Sequence, residues 1–115
     1  EMRQGKHEAA VADLNSLVDN DITSVYGSKA AVDLGTYYYN AGNYKKAEKV
    51  VNKLLDSETT HQYWMARGFI LLSDIYNKQG DKFQAREYLE SLKANYPGNE
   101  TDIKEMIEKR LKALK

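Results

Sequence analysis

Apolar residues recur along the chain at helical intervals of three and four, and three stretches repeat the same arrangement behind a glycine. They read GKHEAAVADLNSL from Gly5, GNYKKAEKVVNKL from Gly42 and GDKFQAREYLESL from Gly80, spaced 37 and 38 residues apart. In each, an alanine follows the glycine by five (Ala10, Ala47, Ala85), an aliphatic residue by nine (Leu14, Val51, Leu89) and a leucine by twelve (Leu17, Leu54, Leu92). Steps of four and three place these residues on one helical face. Upstream of two glycines a second pattern recurs: Ala31, Leu34, Gly35 and Tyr38 before Gly42, and Phe69, Leu72, Ser73 and Tyr76 before Gly80. Glycine ends a helix readily because it adopts the left-handed conformation without a Cβ clash, and Asn43 and Asp81 are suited to cap the helix that follows. The unit is therefore helix, tight turn, antiparallel helix. The small residues Gly35, Ser73, Ala47 and Ala85 let the axes approach closely, and Tyr38 and Tyr76 fill the space beside them.

The pattern predicts six helices, at about 4–19, 25–41, 43–56, 60–79, 82–95 and 101–114, and no strands. The last carries Ile103, Met106, Ile107, Leu111 and Leu114 on one face with charges elsewhere, and Asn99 or Thr101 is placed to cap it. Covering the apolar end of the preceding pair is the expected role of this helix.

These residues resemble the tetratricopeptide repeat, a helix-turn-helix unit of about 34 residues that stacks into a superhelix. Leu34-Gly35, Tyr38, Gly42, Tyr44, Ala47 and Leu54 carry the resemblance in one repeat, and Leu72-Ser73, Tyr76, Gly80, Ala85, Leu92 and Pro97 in the next. Gly5, Ala10, Leu14 and Leu17 match only a second helix. The resemblance implies an all-α, right-handed α-solenoid of antiparallel helix pairs. Within a single domain spanning 1–115, residues 1–20 would be the second helix of a truncated repeat, 25–57 and 58–97 complete repeats, and 99–115 a capping helix. The spacing exceeds the usual period, so the first helices are expected to start early, with residues from Ser57 through Trp64 as an added turn. Such spacing is similar to that of extended repeats in bacterial cell-envelope scaffold proteins, and the whole segment resembles the C-terminal end of a long multi-repeat bacterial protein. The envelope or periplasm is the compartment this implies, with cytoplasm as the alternative.

Composition narrows the function. The 115 residues carry 17 basic and 17 acidic side chains, and the mean hydropathy is −0.71. Neither a nucleic-acid partner nor membrane insertion is expected. Cysteine is absent, which removes disulfides, thiol nucleophiles and cysteine-bound metals. Glu1 in place of an initiator methionine leads to the expectation of a processed or shortened piece. The two histidines, His7 and His61, lie 54 residues apart without metal-ligand spacing and read as solvated helix-end residues. Neither a phosphate-binding glycine loop nor a nucleophile elbow occurs, and Glu87 and Glu90 read as a solvated pair. No enzyme activity and no cofactor or metal are expected. Of the nine tyrosines, all but Tyr39 read as packing residues.

In the family, first helices line an inner groove. Carried over, this gives Val32, Thr36, Tyr39 and Asn40 from one repeat and Arg67, Ile70, Asp74, Asn77 and Lys78 from the next. The family's lysine and asparagine clamp for a C-terminal carboxylate would fall on Val32, Thr36 and Leu71, so that device is missing. The reading is a non-catalytic scaffold that binds a peptide or protein segment in its concave groove. The alternative is a purely structural packing module of a larger protein, with no peptide ligand. Leu14 and Leu17 sit on columns whose partner helix is missing, and self-association through them as a homodimer is a further expectation.

Overall fold

The computed structural model describes the backbone of residues 2–114 and the side chains of residues 10–114. Among these residues six helices follow one another: α1 (Met2–Asp21), α2 (Val25–Asn40), α3 (Tyr44–Asp56), α4 (Gln62–Lys78), α5 (Lys82–Asn95) and α6 (Thr101–Ala113). Each packs on its successor, and in addition α2 touches α4 and α4 touches α6. The even-numbered helices thus form one continuous row with the odd-numbered ones on the other side. The stack measures 42 × 30 × 23 Å with a radius of gyration of 14.2 Å. A compact chain of this length would have a radius of about 13 Å, so the shape is drawn out along the stacking direction.

The turns within the helix pairs have the form that their glycines predict. Gly42 and Gly80 take φ of +80° and +87°. After α2, the N–H of Gly42 donates to the Tyr39 carbonyl at 3.0 Å and that of Asn43 to Tyr38 at 2.9 Å; after α4, Gly80 and Asp81 repeat both bonds on Asn77 and Tyr76. Both are Schellman ends, which satisfy carbonyls that the helix leaves open. The residue after each glycine then begins the next helix: Asn43 Oδ1 accepts from the Lys46 N–H at 3.3 Å and Asp81 Oδ1 from Gln84 at 3.1 Å. Gly5 differs, because it lies inside α1 and opens no turn.

The core is divided into layers between successive helices. Val18, Ala30, Ala31, Val32, Leu34 and Leu54 form one cluster, Ala47, Val51, Leu71, Leu72 and Ile75 a second, and Ala66, Ile70, Ala85, Leu89 and Leu92 a third that continues into Ile103 and Ile107 of α6. Small residues set the spacing. A methyl group on Gly35 would stand 2.9 Å from Leu71 Cδ2 and 3.2 Å from Val51 Cγ2, so α2, α3 and α4 converge there with no room for a side chain. Ile103 and Ile107 are buried and Leu111 half-buried against the last pair. The α6 helix is further tied down by Lys93–Glu108 at 2.6 Å, Tyr96–Glu100 at 2.5 Å and a bond from Arg86 to the Leu114 carbonyl.

Two local expectations are corrected. The extra length between repeats is a loop over 57–61 and not an added helical turn, since α4 starts only at Gln62. Glu58 has φ of 60° there, and the buried Thr59 turns inward. Its hydroxyl lies 3.0 Å from that of Ser28, and between them the two reach the carbonyls of Ile22 and Thr23 at 2.8 and 3.1 Å. This pair closes the loop onto the start of α2. At α6 the residue before the first turn is Glu100, and neither it nor Asn99 caps through a side chain; Thr101 is already helical.

Candidate functional site

Residues at intervals of three and four on α2 and α4 open onto one concave depression of about 260 Å³. Val32, Thr36, Tyr39 and Asn40 supply the α2 side, and Arg67, Ile70, Leu71 and Asp74 the α4 side. Val32 and Ile70 are only 3% and 2% exposed, because most of their surface is spent in the core. They form a floor, and the more accessible groups are a mixture, polar on α2 and α4. The Thr36 hydroxyl donates to the Val32 carbonyl at 2.8 Å, a bond internal to the helix. Tyr39 is half-buried against Tyr44, with ring centroids 5.7 Å apart. Burial, with the negative charge of Asp74 second, pushes its phenol above the ordinary value of 10. Asn77 and Lys78 are exposed in the last turn of α4, beyond the depression.

The third wall comes from α6. Met106 and Arg110 line the depression, and the Arg110 guanidinium holds Asp74 through Nε at 2.8 Å and Nη2 at 2.9 Å. A bidentate fork of this kind fixes geometry as well as charge. A second connection runs alongside: Arg67 Nη1 donates to the Tyr63 phenol at 3.1 Å, and Tyr63 donates to Asp102 at 2.5 Å. That bond to Asp102, followed by burial, raises the Tyr63 pKa. The Arg67 guanidinium also lies 5.8 and 5.9 Å from the Tyr63 and Trp64 ring centres. Met106 and Arg110 were not legible as site residues, nor was the Tyr63–Asp102 bond beside them. The only available hint was the four-residue step from Met106 to Arg110, which would place both on one face of the last helix.

The remaining candidates lie apart. His61 is the residue before α4, and the His7 side chain lies outside the described residues. Glu87 and Glu90 are exposed on α5. Among the described residues no group of three or more histidines, cysteines and carboxylates is placed to hold a metal, and no helix is long and apolar enough to cross a membrane. On α1 the repeat columns are open: Ala10 is exposed, Leu14 half-buried and Leu17 39% exposed, whereas Ala47, Val51 and Leu54 at the matching places of α3 are fully buried. Leu14 packs towards Val18 and the α2 core, which leaves Ala10 and Leu17 facing outward.

Two tetratricopeptide repeat family models match the chain, one over residues 1–60 and the other over residues 68–99. A search of curated proteins found no match.

Proposed function

The chain belongs to the tetratricopeptide repeat family, and from that premise we propose that it is a non-catalytic scaffold that binds a peptide or protein segment in its concave depression. Repeats of this family generally mediate protein–protein interaction and are typically non-catalytic. The observation that carries the reading is the convergence of Thr36, Tyr39, Asn40, Arg67 and Asp74 on one concave surface made by α2, α4 and α6. Binding there relies on hydrogen bonds and aromatic contact more than on the sunken Val32 and Ile70, and Tyr39 and Arg67 are of the residue types that dominate binding energy at interfaces. A displayed peptide library, followed by calorimetry with selected sequences, tests this. Tyr39→Ala and Arg67→Ala should each weaken binding at least fivefold with helix content retained, and Asn77→Ala, at the rim, should do less. Selected peptides indifferent to all three changes would overturn the groove.

A structural role is favoured by one other observation, the outward Ala10 and Leu17 on α1. Under this reading the face stacks on another helix, from a second copy or from a larger chain. Leu17→Lys tests it better than a change at Leu14, which also serves the core; sedimentation should show an association that this substitution removes.

A further inference from the structure

Between α1 and α3, on the side of the molecule away from the concave depression, lies a cleft of about 260 Å³ with an apolar floor and a basic rim. Val18, Val50 and Tyr38 make the floor, and Lys46, Lys49 and Lys53 stand along it. The Lys46 ammonium lies 5.6 Å from the centre of the Tyr38 ring, and Lys53 pairs with Asp19 at 2.6 Å. With three cations and one carboxylate, the cleft is locally basic in a chain whose charges cancel overall.

The repeat itself shows that packing does not require this arrangement. Aligned on Gly42 and Gly80, Lys46, Lys49 and Lys53 correspond to Gln84, Glu87 and Ser91, and Val50 corresponds to Tyr88. In that next repeat the Tyr88 ring stacks on Tyr76, the counterpart of Tyr38, with centroids 5.6 Å apart and planes within 7°. A tyrosine therefore stacks on the repeat's tyrosine in one case, and in the other a valine takes that place while the Tyr38 ring meets Lys46 and, edge-on at 5.7 Å, Tyr37. The lysine stripe and the valine between its members belong to the first repeat and not to the second.

We propose that this cleft docks an acidic, amphipathic helical segment of a partner protein, independently of the concave surface. Lysines at steps of three and four span about 10 Å along α3, and carboxylates at the same steps on a helix laid beside it would meet all three. An aliphatic residue between those carboxylates would sit on Val50 and Tyr38. A phosphate polymer fits less well, because the floor is apolar, Asp19 stands on the wall, and the cations are lysines without the forked geometry by which arginine grips phosphate.

The test measures binding of the whole chain to two synthetic helical peptides by fluorescence anisotropy. One carries glutamates at i, i+3 and i+7 around a leucine, the other carries glutamines in their place, and a single-stranded oligonucleotide serves as a third probe. The glutamate peptide should bind about tenfold more tightly than the glutamine one, and several-fold less tightly when salt screens the exposed charges. Lys49→Glu should weaken it roughly tenfold. Val50→Tyr should do the same with an unchanged far-ultraviolet spectrum, since the next repeat shows that a ring fits there. Asp19→Asn, which frees Lys53, should tighten binding two- to threefold, and Tyr39→Ala in the concave surface should leave it unchanged. Equal binding of the two peptides, preference for the oligonucleotide, or indifference to both Lys49→Glu and Val50→Tyr would overturn the proposal.

Discussion

Ala10, Ala47 and Ala85 occupy the same place in the repeated pattern, yet leucine should act differently at the three. Ala47 and Ala85 have no exposed surface, whereas Ala10 is exposed. Near Ala47 the crowding is explicit, because a methyl on Gly35 would be 3.8 Å from the Ala47 carbonyl oxygen and closer still to Val51 and Leu71. A leucine there adds three carbons where α2, α3 and α4 already meet. If room existed, burying them would gain about 0.8 kcal/mol each; without room, the helices must shift, at about 1–3 kcal/mol. The unfolding entropy of a chain this long is about 0.24 kcal/mol per degree, so Ala47→Leu and Ala85→Leu should each lower Tm by about 4–12 °C. Total stability on the order of 6–17 kcal/mol leaves both variants folded at room temperature. Ala10→Leu should stay within about 0.5 kcal/mol, as surface changes usually do. Thermal unfolding followed by circular dichroism reads all three. Equal shifts for Ala10→Leu and Ala47→Leu, or no shift at Ala47 and Ala85, would refute the reasoning that a facing helix distinguishes the positions.

Three further outcomes are expected. Thr59→Val removes the bond to the Thr23 carbonyl and the contact with Ser28, whose hydroxyl keeps the Ile22 carbonyl, and should cost about 0.5–1.5 kcal/mol in urea unfolding, while Thr60→Val at the neighbouring exposed position should cost little. Arg110→Ala removes both bonds to Asp74 and should loosen α6, costing about 1–2 kcal/mol and raising hydrogen exchange over residues 101–113 more than over 44–56. The pKa shifts set both limbs of the pH profile. Tyr39, Tyr63, Tyr76 and Tyr96 are all raised above 10, so the unfolded chain loses those protons first, and stability intact below pH 10 should decline as pH rises beyond it; tyrosinate absorbance should show these four titrating later than in urea. Glu100, through its bond from Tyr96, and Glu108, through Lys93, are held below their ordinary 4.5, so their contribution is present above that pH and is lost as acid protonates them in the fold, which a falling Tm below pH 4.5 would register.

Local features of the chain were enough to determine six helices, their pairing and the family. A Schellman end at Gly42 or Gly80 depends on backbone conformation over five or six residues, and a cap at Asn43 or Asp81 on three, so both are legible wherever those residues stand. The buried columns at Ala47, Val51 and Leu54 were equally legible, because a helix must turn its periodic apolar face towards something. The repeat spacing misled between Ser57 and Trp64, where added length is a loop. What tertiary structure alone decided are the meetings of distant side chains: Asp74 with Arg110, Tyr63 with Asp102 and Ser28 with Thr59, separated by 36, 39 and 31 residues. It also decided that Tyr88 lies over Tyr76 while Tyr38 and Val50 line a basic cleft. Such meetings depend on the angle and offset at which one helix crosses another, and a helix's own sequence specifies which face it buries but not which residue of another helix will stand opposite it.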